Sequence, residues 1–167
     1  MAVDAGRFRE IFGSFPTAVA IVTALDEAGE PKGFTCNAVS AVSVDPALLL
    51  VCVDKGSRSL PALRHSGAFV VHFLGEDGQQ ASDRFAGRGD DKFAGQDWYP
   101  SAAAGGAPVL TGVALAHAEC VVVQQVEAGD HWILIARVEE GEVHPSRPLL
   151  YHRRGYHVWD AVPELAY

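Results

Sequence analysis

The sequence lacks the features that mark secreted, thiolate-metal and membrane-spanning proteins. It has three widely spaced cysteines, Cys36, Cys52 and Cys120, with no C-x-x-C pair. That number and spacing argue against a disulfide framework or a zinc site, so no metal is expected. No apolar run approaches the roughly 18 residues of a membrane span, and the charged segment 1–10 lacks the apolar core of a signal peptide. We therefore expect a cytoplasmic protein with no membrane partner.

The common nucleotide-binding and hydrolase motifs are also missing. There is no G-x-G-x-x-G, no P-loop, no H-E-x-x-H and no G-x-S-x-G. A nucleotide bound by this chain must therefore be held by something other than a Rossmann turn. The net charge of −8 repels a phosphate backbone, which argues against nucleic acid as a partner.

The composition is that of an ordinary globular protein, 49% hydrophobic and 20% charged, and 167 residues favour a single domain, placed here over 1–167. Apolar and β-branched runs predict strands over 18–24, 34–44, 48–53, 69–74, 113–126, 131–138, 142–144, 149–152 and 156–159. Helical spacing predicts short helices over 8–15, 57–65 and 76–85. The segment 87–106 is predicted to be a long loop anchored by Phe93, Trp98 and Tyr99. Many strands joined by short turns indicate a β-barrel.

Polar residues interrupt the apolar strand that begins at Phe34. This stretch reads F-T-C-N-A-V-S-A-V-S and contains Asn37, the only asparagine of the chain. A buried polar group left unpaired costs about 1–3 kcal/mol, so these side chains need partners. The partners can be backbone groups or a ligand, and the sequence leaves both readings open.

A basic, hydroxyl-rich turn follows the next strand. Lys55, Ser57, Arg58 and Ser59 lie where the strand ends and a helix begins. The free N–H groups and the dipole of a helix N-terminus attract phosphate, and these side chains would complete a cradle for it. The alternative is a capped helix with a solvated basic turn.

Two further segments carry residues that suit chemistry. His131 follows the turn Gly129-Asp130 and begins a strand, where a lone histidine is usually structural. The stretch from Arg147 to Tyr156 is basic and aromatic and can equally be solvated surface.

In this order and spacing, the segments resemble the short-chain flavin reductase family, the reductase components of two-component flavin monooxygenases. The resemblance extends from Phe8 through Trp159. Its marks are F-P-T at 15–17, T-x-N-A-x-S-x-V-S at 35–43 followed by D-P, D-K-x-S at 54–57, F-A at 85–86, D-K-F at 91–93, G-D-H at 129–131 and P-L-L-Y at 148–151.

The resemblance implies a mainly β fold, a split β-barrel of the FMN-binding, Greek-key type, with flavin bound at the interface of a homodimer. It implies NADH- or NADPH-dependent reduction of FAD or FMN and release of the reduced flavin to a monooxygenase. Because the cofactors carry this chemistry, the protein needs to supply only position and electrostatics, which fits the absence of a catalytic triad. The alternatives are a flavin-binding module without hydride chemistry and a different split-barrel enzyme, such as one that oxidises pyridoxamine phosphate.

The resemblance also assigns roles to single residues. For the flavin ring and ribityl chain it implies Thr35, Cys36, Asn37, Ala38, Ser40, Cys52 and Asp54. For the phosphate it implies Lys55, Ser57, Arg58 and Ser59. For the outer side of the flavin or its adenylate part it implies Phe85, Arg88, Lys92 and Phe93. His131 is expected beside the nicotinamide as the catalytic residue, and Tyr151 and Tyr156 near the mouth of the cleft.

Three positions depart from the family pattern. Ala136 stands where a Gly is common after the G-D-H strand, which is expected to narrow the approach to the nicotinamide. Cys36 stands where the family often has Ser or Thr, so a backbone N–H would have to replace a hydroxyl donor to the flavin. His72 stands where the family usually has Asn, which puts the pairing of its strand in doubt.

Overall fold

A computed structural model describes residues 2–160, which form a mainly β structure with a few short helices, as predicted. The helices are α1 (Ala5–Phe12), α2 (Leu60–Ser66) and α3 (Gln79–Ala86), and a 3-10 turn at Glu76–Gly78 precedes α3. The first six strands are β1 (Thr17–Ala18), β2 (Ala20–Leu25), β3 (Pro31–Cys36), β4 (Val39–Val44), β5 (Ala47–Asp54) and β6 (Ala68–Leu74). The other six are β7 (Trp98–Pro100), β8 (Pro108–Leu110), β9 (Ala114–Ala128), β10 (His131–Val143), β11 (Leu149–His152) and β12 (Gly155–Val158).

Seven strands form one antiparallel sheet in the order β3-β2-β6-β9-β10-β5-β4. If the sheet were flat, its edge strands β3 and β4 would lie about 29 Å apart, since neighbouring strands are spaced about 4.8 Å. Only Asn37 and Ala38 connect them, and a link of that length spans at most about 11 Å. The sheet therefore curls until its two edges meet, which is the geometry of a split barrel.

Three predicted elements need correction. The run 34–44 is not one strand, because the chain passes from one edge of the sheet to the other between Cys36 and Val39. The segments 131–138 and 142–144 belong to the single strand β10. The loop 87–106 contains β7, which pairs with β8. Phe93 anchors the loop as predicted by packing edge-on against Phe85, and the partly exposed Trp98 packs edge-on against Phe93, whereas Tyr99 is exposed.

Strand β2 is buried on both faces and explains why its sequence reads as an unbroken apolar run. Successive side chains of a strand point to opposite faces. Ala20, Val22 and Ala24 enter the core inside the barrel, where Leu63 of α2 also packs. Val19 and Ile21 enter a second core on the outer face, which is completed by residues of α3, β8 and β11.

His72 leaves the pairing of β6 intact on both sides, so the doubt raised by its departure from the family pattern is resolved. The ring is fully buried, and burial lowers the pKa of His72 to about 3. The neutral ring has both nitrogens paired: Nδ1 lies 3.1 Å from the Ile21 carbonyl and Nε2 accepts from the Leu110 N–H at 2.9 Å. The Nδ1–H tautomer satisfies both contacts. His72 of β6 therefore ties β8 to the seven-stranded sheet and adds a side-chain contact to β2.

Helix α1 stands apart from the barrel. The Asp4 side chain caps it by accepting from the Arg7 N–H at 2.8 Å, and the helix ends before Gly13, somewhat earlier than the predicted stop at Pro16. None of its residues is buried, although Phe8 and Phe12 stack on one another with ring centroids 4.4 Å apart. The helix thus presents an apolar face that the described residues do not cover. No described helix combines the length and the apolarity that a membrane crossing requires.

Candidate functional site

A broad cleft separates α1 from the barrel and carries two of the predicted site residues, Asn37 and Tyr151. We call it the α1 cleft; its volume is about 1080 Å³. Its walls are formed by Gly6, Phe8, Arg9, Glu10, Phe12, Gly13, Ser14, Phe15, Thr17, Asn37, Tyr151, Arg153 and Arg154. Asn37 Nδ2 makes one long contact, 3.4 Å to the Thr17 hydroxyl. The amide of Asn37 therefore keeps most of its hydrogen-bonding capacity for a ligand.

A chain of hydrogen bonds runs beneath this cleft from β3 to β12. The Thr35 hydroxyl donates to the Ser82 carbonyl at 2.6 Å, and the Ser82 hydroxyl lies 2.9 Å from the Tyr156 hydroxyl. Tyr156 also donates to Asp83 at 3.0 Å. Desolvation, aided by the nearby Asp83 carboxylate, raises the pKa of Tyr156, so the phenol stays protonated as a donor. Sequence reasoning identified Thr35 and Tyr156 but missed Ser82 and Asp83, because the family motif indicates only Phe85 within α3.

The Asn37, Lys55 and His131 segments meet at one end of the barrel. Cys52 donates its backbone N–H to the Ala38 carbonyl at 2.9 Å. Two residues further along β5, Asp54 lies opposite His131 of β10. The backbone N–H of Lys55 donates to the Asp130 carbonyl at 2.9 Å. Segments far apart in sequence are thus adjacent in space.

The side chains at this end of the barrel are charged and exposed. His131 Nδ1 lies 2.7 Å from Asp130 Oδ1, and this contact with His131 lowers the pKa of Asp130. Lys55 Nζ lies 2.5 Å from Glu127 Oε1, with 38% of its side chain exposed. Neither His131 nor Lys55 lines the α1 cleft. They lie on an open rim that a second molecule can reach.

A smaller cavity collects four of the predicted residues, Arg58, Ser59, Lys92 and Phe93. We call it the basic pocket; its volume is about 300 Å³. Pro31, Lys32, Gly33, Gly89 and Asp90 complete its lining. Lys92 holds its position by donating to the carbonyls of Gly33 at 3.1 Å and Phe85 at 2.8 Å. Arg58 reaches Asp90 Oδ1 at 2.7 Å and also donates to the Arg88 carbonyl.

The charge of the basic pocket suits a phosphate. Desolvation and the neighbouring Arg58 cation lower the pKa of Lys92, and among the described residues its ammonium donates to two carbonyls rather than to a carboxylate. Three basic side chains line the pocket. Lys32 is paired with Asp26 at 3.0 Å. Arg58 and Lys92 share a single lining carboxylate, that of Asp90. An anion placed between Arg58 and Lys92 would relieve this imbalance.

The other predicted residues have different surroundings. Cys36 and Phe85 are buried in the two cores, so only their backbone atoms can reach a ligand. Ser40 is exposed on β4. The Ser57 hydroxyl accepts from the Ser59 N–H at 3.3 Å, and Ser59 donates to the Gly33 carbonyl at 3.0 Å instead of capping α2. Arg88 is exposed and contributes its carbonyl.

Two further cleft residues, Arg153 and Arg154, belong to the basic, aromatic stretch 147–156 but were not among the predicted site residues. They form the two-residue turn between β11 and β12 with φ of 48° and 67°. Left-handed backbone is unusual for arginine, and such turns normally hold Asn or Gly. Unusual backbone conformations cluster at functional positions. Both residues line the α1 cleft, where they add positive charge.

Comparison with known proteins identifies related families and folds. Residues 12–160 match the family model described as flavin reductase like domain. The flavin reductase (NADH) of Kitasatospora aureofaciens is 45% identical over 159 residues, which cover 94% of this chain and 83% of that protein. The HsaB reductase subunit of a flavin-dependent monooxygenase from Rhodococcus jostii is 44% identical over 156 residues, covering 93% of this chain and 78% of that protein.

A solved structure resembles the entire fold. The NADH:FAD oxidoreductase SgcE6 of Streptomyces globisporus, in complex with NAD and FAD fragments, superimposes with a TM-score of 0.86. It is 30% identical in sequence, and the match covers 99% of each chain.

Proposed function

The chain belongs to the flavin reductase-like family, and from that premise we propose that it reduces a diffusible FAD or FMN with NADH or NADPH and passes the reduced flavin to a monooxygenase. The observation that carries this proposal is the meeting of the Asn37, Lys55 and His131 segments at one end of the barrel, next to a pocket in which Arg58 and Lys92 share one lining carboxylate. A flat ring system and a phosphate tail can then be bound side by side.

We assign the phosphate end of the flavin to the basic pocket. Arg58 and Lys92 would pair with its negative charge, and Ser59 lies on the wall between them and Gly33. The ring end would lie along Thr35, Asn37 and Ala38, whose segment crosses between the two edges of the sheet. Backbone groups of this segment are available to the ring because β3 and β4 do not pair with each other among the described residues.

The protein's part in the reaction is to position the reactants. When bound, the flavin and the nicotinamide supply the acceptor and the donor of the hydride. Asn37 orients one ring through its amide, and His131 approaches the second ring from the rim of β10. Asp130 holds the His131 imidazole through its contact with Nδ1 and leaves Nε2 free to contact the nicotinamide. Fixing both rings in contact makes the transfer effectively unimolecular.

The open site supports release of the product. Asn37, Ala38 and Asp54 are exposed and His131 is only partly covered, so a ring bound there stays accessible to solvent. Binding in the micromolar range, about −8 kcal/mol, would allow the flavin to leave for a second enzyme. The free thiols Cys36, Cys52 and Cys120 suit a reducing compartment, which supports the expected cytoplasmic location.

Steady-state kinetics test the proposal directly. We expect the absorbance of NADH or NADPH to fall only when FAD or FMN is added, and gel filtration in dilute buffer to strip the protein of flavin and of activity. Adding micromolar flavin should restore the activity. Flavin binding without nicotinamide oxidation would instead identify a non-catalytic flavin-binding module, and flavin that survives repeated filtration would contradict the release of product.

We further propose that the active form is a homodimer in which α1 contributes to the interface. Phe8, Ile11, Phe12 and Phe15 are each 44–52% exposed and lie together on α1 and the turn after it. An isolated helix of eight residues is marginal in water, so a second protomer covering this face would stabilise it. The same contact would narrow the α1 cleft next to Asn37.

Substitution of Phe12 tests this interface. Phe12→Asp places a charge in the apolar face, and we expect light scattering to show a shift from dimer to monomer at micromolar concentration, together with weaker flavin binding. Val143→Asp is the matched control, since Val143 is 79% exposed on a different part of the surface. A dimer that survives Phe12→Asp, or one that Val143→Asp disrupts equally, would contradict the role of α1.

A further inference from the structure

A third cavity lies away from the flavin site and contains a convergent set of histidine and carboxylate side chains. We call it the histidine pocket; its volume is about 340 Å³. His117, Glu142 and His144 line it, and the potential ligand atoms of these three residues lie within 4.8 Å of one another. The mechanism proposed above uses none of them.

The strand register explains why these residues converge. Glu142 of β10 lies directly opposite His117 of β9. His144 follows two residues later and therefore projects toward the same side, and its backbone N–H donates to the Leu115 carbonyl at 2.7 Å. A Cβ at Gly141 would come within 2.5 Å of the His117 carbonyl, so glycine is required for the two strands to approach this closely.

The electrostatics of the pocket favour a cation. Its lining includes the carboxylates of Asp77 and Glu142 and contains no lysine or arginine. Glu119 lies behind His117, with Oε1 3.7 Å from Nε2, and Ser101 and the Ala103 N–H hold its other oxygen. At that distance the Glu119 carboxylate makes no hydrogen bond to the ring, but it adds a further acidic side chain next to the pocket.

We propose that His117, Glu142 and His144 bind a divalent transition-metal ion of the zinc class. Two imidazoles and one carboxylate suit Zn²⁺ and its neighbours, whereas Mg²⁺ and Ca²⁺ prefer oxygen ligands alone. Tetrahedral ligands of zinc lie about 3.4 Å apart. His144 Nδ1 and Glu142 Oε1 are already 3.8 Å apart, and both side chains are substantially exposed and free to adjust. Three protein ligands leave at least one coordination position open to the pocket.

The histidine pocket is separate from the flavin site. His131 and Glu142 lie near opposite ends of β10, at most roughly 36 Å apart at about 3.3 Å per residue. The histidine pocket also shares no lining residue with the α1 cleft or the basic pocket. Loss of the metal is therefore expected to leave flavin reduction unchanged, and the two proposals can fail independently.

Metal titration of the full chain tests the site. After treatment with chelator and desalting, we expect calorimetry to show one Zn²⁺ bound per chain, and Co²⁺ to give the visible absorbance of a low-coordinate site. Glu142→Gln and His144→Ala should each weaken the affinity at least tenfold. Substitution of buried His117 is avoided because it risks unfolding the protein.

His157→Ala provides the matched control, because His157 is an exposed histidine on β12 outside the pocket. It should bind Zn²⁺ as the unmodified chain does, and Zn²⁺ should raise the melting temperature of both. The proposal is overturned if the chain binds no Zn²⁺ at 100-fold molar excess, or if His144→Ala and His157→Ala bind it equally well.

Discussion

Replacing Arg58 with alanine is expected to raise the Kd for FAD or FMN about ten- to a hundredfold. A hydrogen bond to a charged group contributes about 1.5–3 kcal/mol, and each 1.4 kcal/mol changes affinity about tenfold. Arg58 lines the basic pocket together with Lys92, where desolvation and the Arg58 cation lower the pKa of Lys92. Fluorescence titration of the flavin measures the change.

Two variants make the result specific to the pocket. Arg58→Lys keeps the positive charge but loses the planar guanidinium that can donate two parallel hydrogen bonds. We therefore expect an intermediate affinity for flavin. Arg137→Ala removes the same charge from a surface arginine paired with Glu139 and should leave flavin binding unchanged. If Arg58→Ala binds flavin as tightly as the unmodified chain, the phosphate does not occupy the basic pocket.

Replacing His131 with alanine is expected to lower kcat/KM for the nicotinamide about ten- to a hundredfold while flavin affinity changes less than twofold. The imidazole lies on the rim of β10, 2.7 Å from Asp130, where it can position the second ring. Misplacing a reactant by about 1 Å can reduce the rate about a hundredfold. Kinetics with the nicotinamide varied at saturating flavin separate this effect from flavin binding.

The control variant His65→Ala tests whether the effect depends on where the lost imidazole lies. His65 lies in the last turn of α2, so its loss removes an exposed imidazole without touching β10. That variant should keep its full kcat/KM. An equal loss of flavin and nicotinamide affinity in His131→Ala would show that His131 stabilises the barrel end instead of contacting the nicotinamide.

The strand pattern of the fold could be predicted because the apolar runs are long and separated by clear turns. The family motifs also indicated residues that the structure brings together, since Arg58, Ser59, Lys92 and Phe93 share one pocket. The interruption at Asn37 and Ala38 was missed because both flanking stretches favour strand. The strand must end there only because the sheet curls closed.

Other features could not be predicted because they depend on register and packing. The pairing of β9 with β10 includes two irregularities, near Ile135 and Val138, whose shifts cancel, so Glu142 lies opposite His117 in the same register as His131 and Ala128. The prediction of separate strands over 131–138 and 142–144 hid this continuous register. The cysteine count argues only against thiolate metal sites and gives no information on histidines from paired strands. Ser82 likewise joins the Tyr156 network only through the packing of α3.

The two-residue link between β3 and β4 also has a consequence for the order in which the barrel opens. Asn37 and Ala38 connect two edge strands that, among residues 2–160, form no hydrogen-bonded ladder with each other. These two edges are therefore expected to separate before the paired strands do. A flavin bound across these two edges would hold them together. Amide hydrogen exchange in β3 and β4 would then slow as the flavin concentration rises above its Kd. Each release of product would then coincide with a loosening of the barrel itself.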